Sequence, residues 1–335
     1  MPHTLVLENI APAVDRARGA SDLARMVEAS VGLMEVIPYK HYPFLLVGRG
    51  NGGIEHANSA AICFNGERLA DEKGYPGWLS YVAHEYFHHF NVKRIRPIAL
   101  GPFDYDMENL TEMLWVSEGL SVYYQDLVLV RAGLLTPEAY LAKLGGAISR
   151  FENGLGRRFQ SAAESSLTTW GTSGVGGDRN TTISYYDNGS MLGMMLDLAI
   201  RNGSGNAKSL DDVMRSLYRT YNLGKKRGFT DAEFREECEK AAGGPLAEVF
   251  EYAETTRDVD YAKYLALAGI RMSGTPKDGP GGYLGLNTRT ADGAMTVTSV
   301  TPGSPAETAG QAIFYVDDEG IGIDRRHHDQ VFRMF

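Results

Sequence analysis

Leu23, Met26, Val27, Val31 and Met34 recur at intervals of one to four residues through SDLARMVEASVGLMEV, so the first strong pattern in the chain predicts an amphipathic helix. Residues 1–20 ahead of it read as a connector. The pattern then shifts: YPFLLVGRGNGGIEHANSAAICFNG is dense in strand formers and broken by glycines, which predicts two strands around a glycine-rich turn. Helical spacing returns near 78–94, 109–132, 136–152, 189–202, 209–220 and 230–254, with caps such as Thr136-Pro137 and Thr230-Asp231 opening some of these stretches. Strands first and helices after predict an α+β domain. Around 255–282 the charged TTRDVDYAKY leads into the glycine- and proline-rich SGTPKDGPGGY, and a domain boundary is expected there. Beyond it YLGLNTRTADGAMTVTSVTPGSPAETAG alternates as β-strands do.

Composition narrows the functional classes. A chain of 335 residues with 43% apolar content can bury one large domain and a small one. Its net charge of −9 argues against nucleic-acid partners. The short basic run Lys93, Arg94, Arg96 falls where a helix is predicted to end, a place where cations compensate the macrodipole. No run approaches the roughly 18 apolar residues of a membrane span, so no membrane partner is expected. The start MPHTLVLENIAPAVDRARG has no basic region followed by an apolar core, which leaves the compartment open: cytoplasmic, or periplasmic if a signal lies upstream. Cys63 and Cys238 stand far apart in no metal-binding spacing.

The segment WLSYVAHEYFHHFNVKRIRP holds His84, Glu85 and His88 in the order His-Glu-x-x-His. On a helix, residues i and i+4 project side by side, so two imidazoles can grip one ion while Glu85 faces its open side as a general base. Leu79, Val82, Ala83, Phe87 and Phe90 around them imply a largely buried helix, where histidines without a use are uncommon. His89 points off the ligand face and reads as a structural or supporting residue. A catalytic zinc site needs a third protein ligand and an open position. Glu118, a carboxylate in a strongly apolar helical stretch, is the best candidate, with Glu108 and Glu112 as competitors in a more polar first turn.

Taken with GGIEHANS at 52–59, HEYFHHFNVKRIRP at 84–97, ALGPFDY at 99–105, LWVSEGLSVYYQD at 114–126 and SYYDNGSMLGMMLDLAIR at 184–201, the chain resembles the glycyl aminopeptidase family of PDZ-containing gluzincin zinc metallopeptidases over roughly residues 20–310. The resemblance implies a thermolysin-like catalytic domain with a helical C-terminal part over 21–260, followed by a PDZ-like segment at 261–311. It implies one zinc per chain on His84, His88 and Glu118. It also implies a peptide substrate with a free amino terminus and release of small first residues, notably glycine and alanine. By similarity to a glycine-x-methionine-glutamate-asparagine motif of related aminopeptidases, Gly52, Gly53 and Glu55 would bind substrate, with Glu55 on its α-ammonium. Tyr186 matches a tyrosine that steadies the oxyanion, with Tyr185 as the alternative one residue away, and Asn188 stands where relatives carry lysine.

The family's amino-terminal β-rich domain is not matched, and the likeness to a PDZ domain stops after Ala309-Gly310. The expectation is a catalytic domain shortened at both ends, which would self-associate through uncovered apolar surface. Residues 312–335 resemble the glycine box of a histidine-kinase ATPase domain in Asp318-Glu319-Gly320-Ile321-Gly322. The rest of such a nucleotide site is missing from the sequence, and no ATP binding is expected. Two rival functions stay open at this point: a thermolysin-like zinc endopeptidase, and an inactive metal-binding fragment with a binding role.

Overall fold

A central sheet and a layer of helices are built from the same alternation of patterns. The structure is a computed structural model and describes residues 2–171, 180–272, 285–291, 294–300 and 304–309. Strand β1 (His3–Glu8) pairs in parallel with β2 (Tyr42–Val47), and helix α1 (Arg16–Met34) makes the crossover between them. Residues 3–8, read from sequence as part of a connector, are therefore a strand of the sheet. Asp15 caps α1 by accepting from the Arg18 amide, and Glu35 ends it in the left-handed region at φ 57°. Leu23, Met26, Val27 and Met34 form its buried face, and Val31 is half-buried beside them.

The stretch expected to hold two strands holds three. β2 pairs in parallel with β4 (Ala60–Cys63), and β3 (Gly52–Glu55) returns antiparallel to β4 through a turn closed by the His56 amide on the Ser59 carbonyl at 2.8 Å. The sheet order is β1-β2-β4-β3, so β3 lies at one margin of the sheet.

Against the sheet packs α2 (Tyr75–Phe87), then a π-helical turn (Trp115–Gly119) running into α3 (Leu120–Arg131). Helices α4 (Pro137–Glu152), α5 (Ala162–Leu167) and α6 (Tyr185–Gly203) follow. Next come α7 (Leu210–Leu217), α8 (Asp231–Ala242), α9 (Ala247–Glu254) and α10 (Tyr261–Leu267). The helix expected over 109–132 begins only at Leu114, because residues 101–113 run as an irregular loop. The one expected over 230–254 is two, since Gly243 turns the chain at φ 72° ahead of Gly244 and Pro245. Tyr261, Tyr264 and Leu265 of α10 are buried against α6 and the core, so the main body extends past the boundary expected at 260.

Beyond it lie the antiparallel hairpin β5 (Leu286–Ala291) and β6 (Ala294–Val300) and the short α11 (Pro305–Ala309), with Arg158 Nη1 2.7 Å from Glu307 Oε1. The expected PDZ-like segment is described only in these pieces, and the tail at 312–335 lies outside the described residues. Among the described residues no helix is long and apolar enough to cross a membrane.

Helix α6 is the hub of the helical layer, burying Met191, Leu192, Met194, Met195, Leu196 and Ile200. It meets the π-helical turn through two glycines. A Cβ on Gly119 would lie 2.4 Å from Gly189 Cα, and one on Gly189 would lie 2.4 Å from the Trp115 carbonyl oxygen. Gly189→Ala is expected to lower unfolding stability by about 1–3 kcal/mol through overpacking. Gly145→Ala in α4, where a Cβ meets nothing within 4 Å, should raise it by roughly 0.5–1 kcal/mol. Urea unfolding of the two variants checks the contrast.

Candidate metal centre

His84 sits in the last turn of α2 and His88 just past its end, both buried. Their Nε2 atoms face each other at 2.9 Å. Glu118 comes from the π-helical turn, and its Oε2 lies 3.3 Å from His84 Nε2 and 3.2 Å from His88 Nε2. Three donor atoms thus converge on one point, with separations near the ~3.3 Å edge of a tetrahedron built on 2.0–2.1 Å zinc bonds. Two imidazoles and a carboxylate aimed at one another offer more lone pairs than protons, which suits a cation. The residues present fit zinc.

Local structure fixes each donor. His88 Nδ1 donates to the Asn91 carbonyl at 2.6 Å, which leaves Nε2 as the donor aimed at the site. Asn91 also ties down the opposite wall, since its Nδ2 donates to the carbonyls of Val116 (3.0 Å) and Ser117 (2.8 Å) beside Glu118. Ser121 Oγ donates to the Ser117 carbonyl at 2.8 Å. Burial alone would raise the Glu118 pKa, but the His88 charge and the close approach of both imidazoles hold it well below the usual carboxylate range. Burial opposes charge on His88, and Glu118 overrides it, raising the pKa to about 9. On His84, burial and the neighbouring His88 charge win and lower it.

Glu85 is buried on the same helix, and burial pushes its pKa up to about 7. It lies directly under β3: a Cβ at Gly53 would be 2.2 Å from Glu85 Oε1. The ligand-type atoms of Glu55, Glu85 and His88 lie within 4.8 Å of one another, so the end of β3 adjoins the histidine cluster. Tyr186, in the first turn of α6, has its ring centroid 6.1 Å from that of His84. Burial, followed by the Glu118 charge, raises its pKa strongly. Tyr185 stacks on it and its hydroxyl lies 3.3 Å from Thr169 Oγ1. Asn188 is buried elsewhere, against a small cavity with Phe151, Arg157 and Tyr252.

Some sequence expectations are corrected. Glu108 and Glu112 are exposed in the loop before the π-helical turn and outside the cluster. The run Lys93, Arg94, Arg96 does not cap α2, which ends at Phe87. Lys93 Nζ instead pairs with Glu55 Oε1 at 2.9 Å, and Arg94 donates to the carbonyls of Pro38, Ala57 and His89. His89 packs among Tyr39, Tyr42, Tyr86 and Phe90, and burial lowers its pKa to about 3. Sequence reasoning missed Asn91, Lys93 and the Gly119–Gly189 crossing. Asn91 and Lys93 stand three and five residues after His88, within the segment that carried the family motif.

Glu118→Ala is expected to abolish tight zinc retention with the fold preserved. Asn91→Ala should weaken zinc affinity by about 10–100-fold, the usual effect of removing a residue that orients ligands. Zinc stoichiometry by atomic emission and competition with a chromogenic chelator measure both.

The segment that carries this cluster matches a known family. Residues 77–192, which hold His84, Glu85, His88, Glu118 and Tyr186, match the profile of the M61 glycyl aminopeptidase family. No curated protein matches the chain. An aminopeptidase N family protein from Idiomarina loihiensis superposes with a TM-score of 0.83 at 25% identity, over 99% of this chain and 61% of that one. An M1 zinc metallopeptidase from Deinococcus radiodurans superposes with a TM-score of 0.50 at 13% identity, over 77% of this chain and 49% of that one, and shares the fold. The chain therefore spans about three fifths of the length of the Idiomarina protein. Over residues 77–192, about a third of its length, the chain is similar to the M61 glycyl aminopeptidases.

Proposed function

We propose that the chain hydrolyses the first peptide bond of peptides with a free amino terminus and a small first residue, with one zinc on His84, His88 and Glu118. The observation that carries this reading is the convergence of those three donor atoms within 3.3 Å of one another beside Glu85 and under the end of β3. When bound there, zinc supplies a Lewis acid for the scissile carbonyl and lowers the pKa of water. The proposed architecture is a thermolysin-like catalytic domain, extended by β1 and α10, with a PDZ-like segment after it.

The chain's own residues would divide the work. Glu85, whose Oε2 has no hydrogen-bond partner, takes the proton of the attacking water and returns it to the leaving amine. Tyr186 keeps its proton because burial and the Glu118 charge raise its pKa, and donates to the developing oxyanion. The peptide lies along β3 as an added strand, where Gly52 and Gly53 let its backbone come close. At the end of β3, Glu55 takes the ammonium. A second reading, endopeptidase action, is favoured by one observation: the Glu55 carboxylate already has Lys93 as a partner.

Glu85→Gln should retain zinc and lose nearly all turnover, because an amide cannot accept the proton. Tyr186→Phe should lower kcat by roughly 10²–10³, the typical effect of removing one oxyanion donor. Glycine and alanine anilides with free and acetylated amines test the exopeptidase reading. Strong preference for the free amine, reduced in Glu55→Ala, supports it; equal rates on both substrates transfer the assignment to an endopeptidase.

A further inference from the structure

The ion pair at the end of β3 is an unusual neighbour for an amine-binding carboxylate. Lys93 and Glu55 are largely shielded, at 15% and 21% side-chain exposure. Lys93 Nζ also lies 4.8 Å from the centre of the Phe103 ring, which Arg96 approaches from 5.1 Å. The Lys93 backbone amide donates to the His88 carbonyl at 3.0 Å, so its stem leaves a fixed point beside a metal ligand. Lys93 is thus a built cation in the subsite, held by a carboxylate, an aromatic face and its own backbone.

We infer that Lys93 is a specificity-determining positioning residue: an internal cation that competes with the substrate's ammonium for Glu55. The inference rests on the proposed amine-anchoring role of Glu55. A free amine reaching Glu55 must share the carboxylate with Lys93 or displace it, and like charges brought together cost affinity. The same cation serves a purpose between turnovers. Glu55 and Glu85 have carboxylate oxygens within 4.8 Å of each other, and Lys93 screens that repulsion. It also opposes retention of the amino-acid product, which carries the same ammonium. Modest ground-state affinity for small free-amine substrates follows, without loss of the anchor's geometry.

Lys93→Met removes the charge and keeps a stem under Phe103. Its KM for glycine and alanine anilides is expected to fall about tenfold. Its kcat should not rise, because product release slows. Lys93→Arg should keep KM near wild type, which a packing role would not predict, and Lys93→Gln repeats the neutral test should the methionine variant fold poorly. Zinc content of each variant reports on the metal site. A KM in the neutral variants at or above wild type overturns the proposal, provided Glu55→Ala still erodes the free-amine preference. If Glu55→Ala leaves that preference intact, the anchoring reading itself fails and the Lys93 proposal falls with it.

Discussion

The interaction on which the rest depends is the buried meeting of His84, His88 and Glu118. A carboxylate placed among apolar side chains is strongly disfavoured unless compensating charge or hydrogen bonds meet it. Here Leu120, Val116 and Trp115 are buried beside Glu118, and its close partners are the two imidazoles. The surrounding structure keeps those three atoms 2.9, 3.3 and 3.2 Å apart, near the ~3.3 Å spacing that one tetrahedral ion asks for. Each supporting feature serves that end: the i, i+4 spacing of the histidines, the Asn91 carbonyl on His88, and the Asn91 amide on the carbonyls ahead of Glu118.

Bringing Glu118 to α2 requires its own segment to be held close on the other side. The π-helical turn widens the backbone around Glu118, and α6 presses against it through Gly119 and Gly189, where any side chain would clash with backbone. That crossing also fixes where α6 begins. Tyr186, three residues before Gly189, is carried to within reach of His84 as a result. A packing constraint thus sets the distance between a metal ligand and the tyrosine opposite it.

Much of this was legible in the sequence because helical periodicity is local. The histidine pair and Glu118 announced themselves as polar residues in apolar helical stretches, and their meeting required no knowledge of the loops between them. What was missed depends on how the chain leaves its helices. Residues 93–96 were read as the end of a long helix because the apolar pattern continues to Phe90 and beyond, yet α2 stops at Phe87 and the chain turns. A residue five places after His88 then lands on a strand 38 residues upstream in sequence, a pairing that spacing cannot reveal. β1 was missed for a similar reason: a short run at the chain's start shows its nature only when β2 is beside it. The break at Gly243-Gly244-Pro245 was written in the sequence and was overlooked.

The turn after α2 joins the two halves of the cleft. Within residues 88–94, His88 faces His84 and Glu118, Asn91 holds His88 and the Glu118 wall, Lys93 meets Glu55, and Arg94 reaches Pro38 ahead of β2 and Ala57 after β3. The histidine–carboxylate cluster and the end of β3 are therefore tied to one backbone segment. Lys93 donates its amide to the very carbonyl of His88, so the lysine stem and the His88 ring leave one fixed stretch of backbone. This segment couples the position of the histidine cluster to that of Glu55. Under the proposed function, that coupling would suit the site to removing one residue at a time.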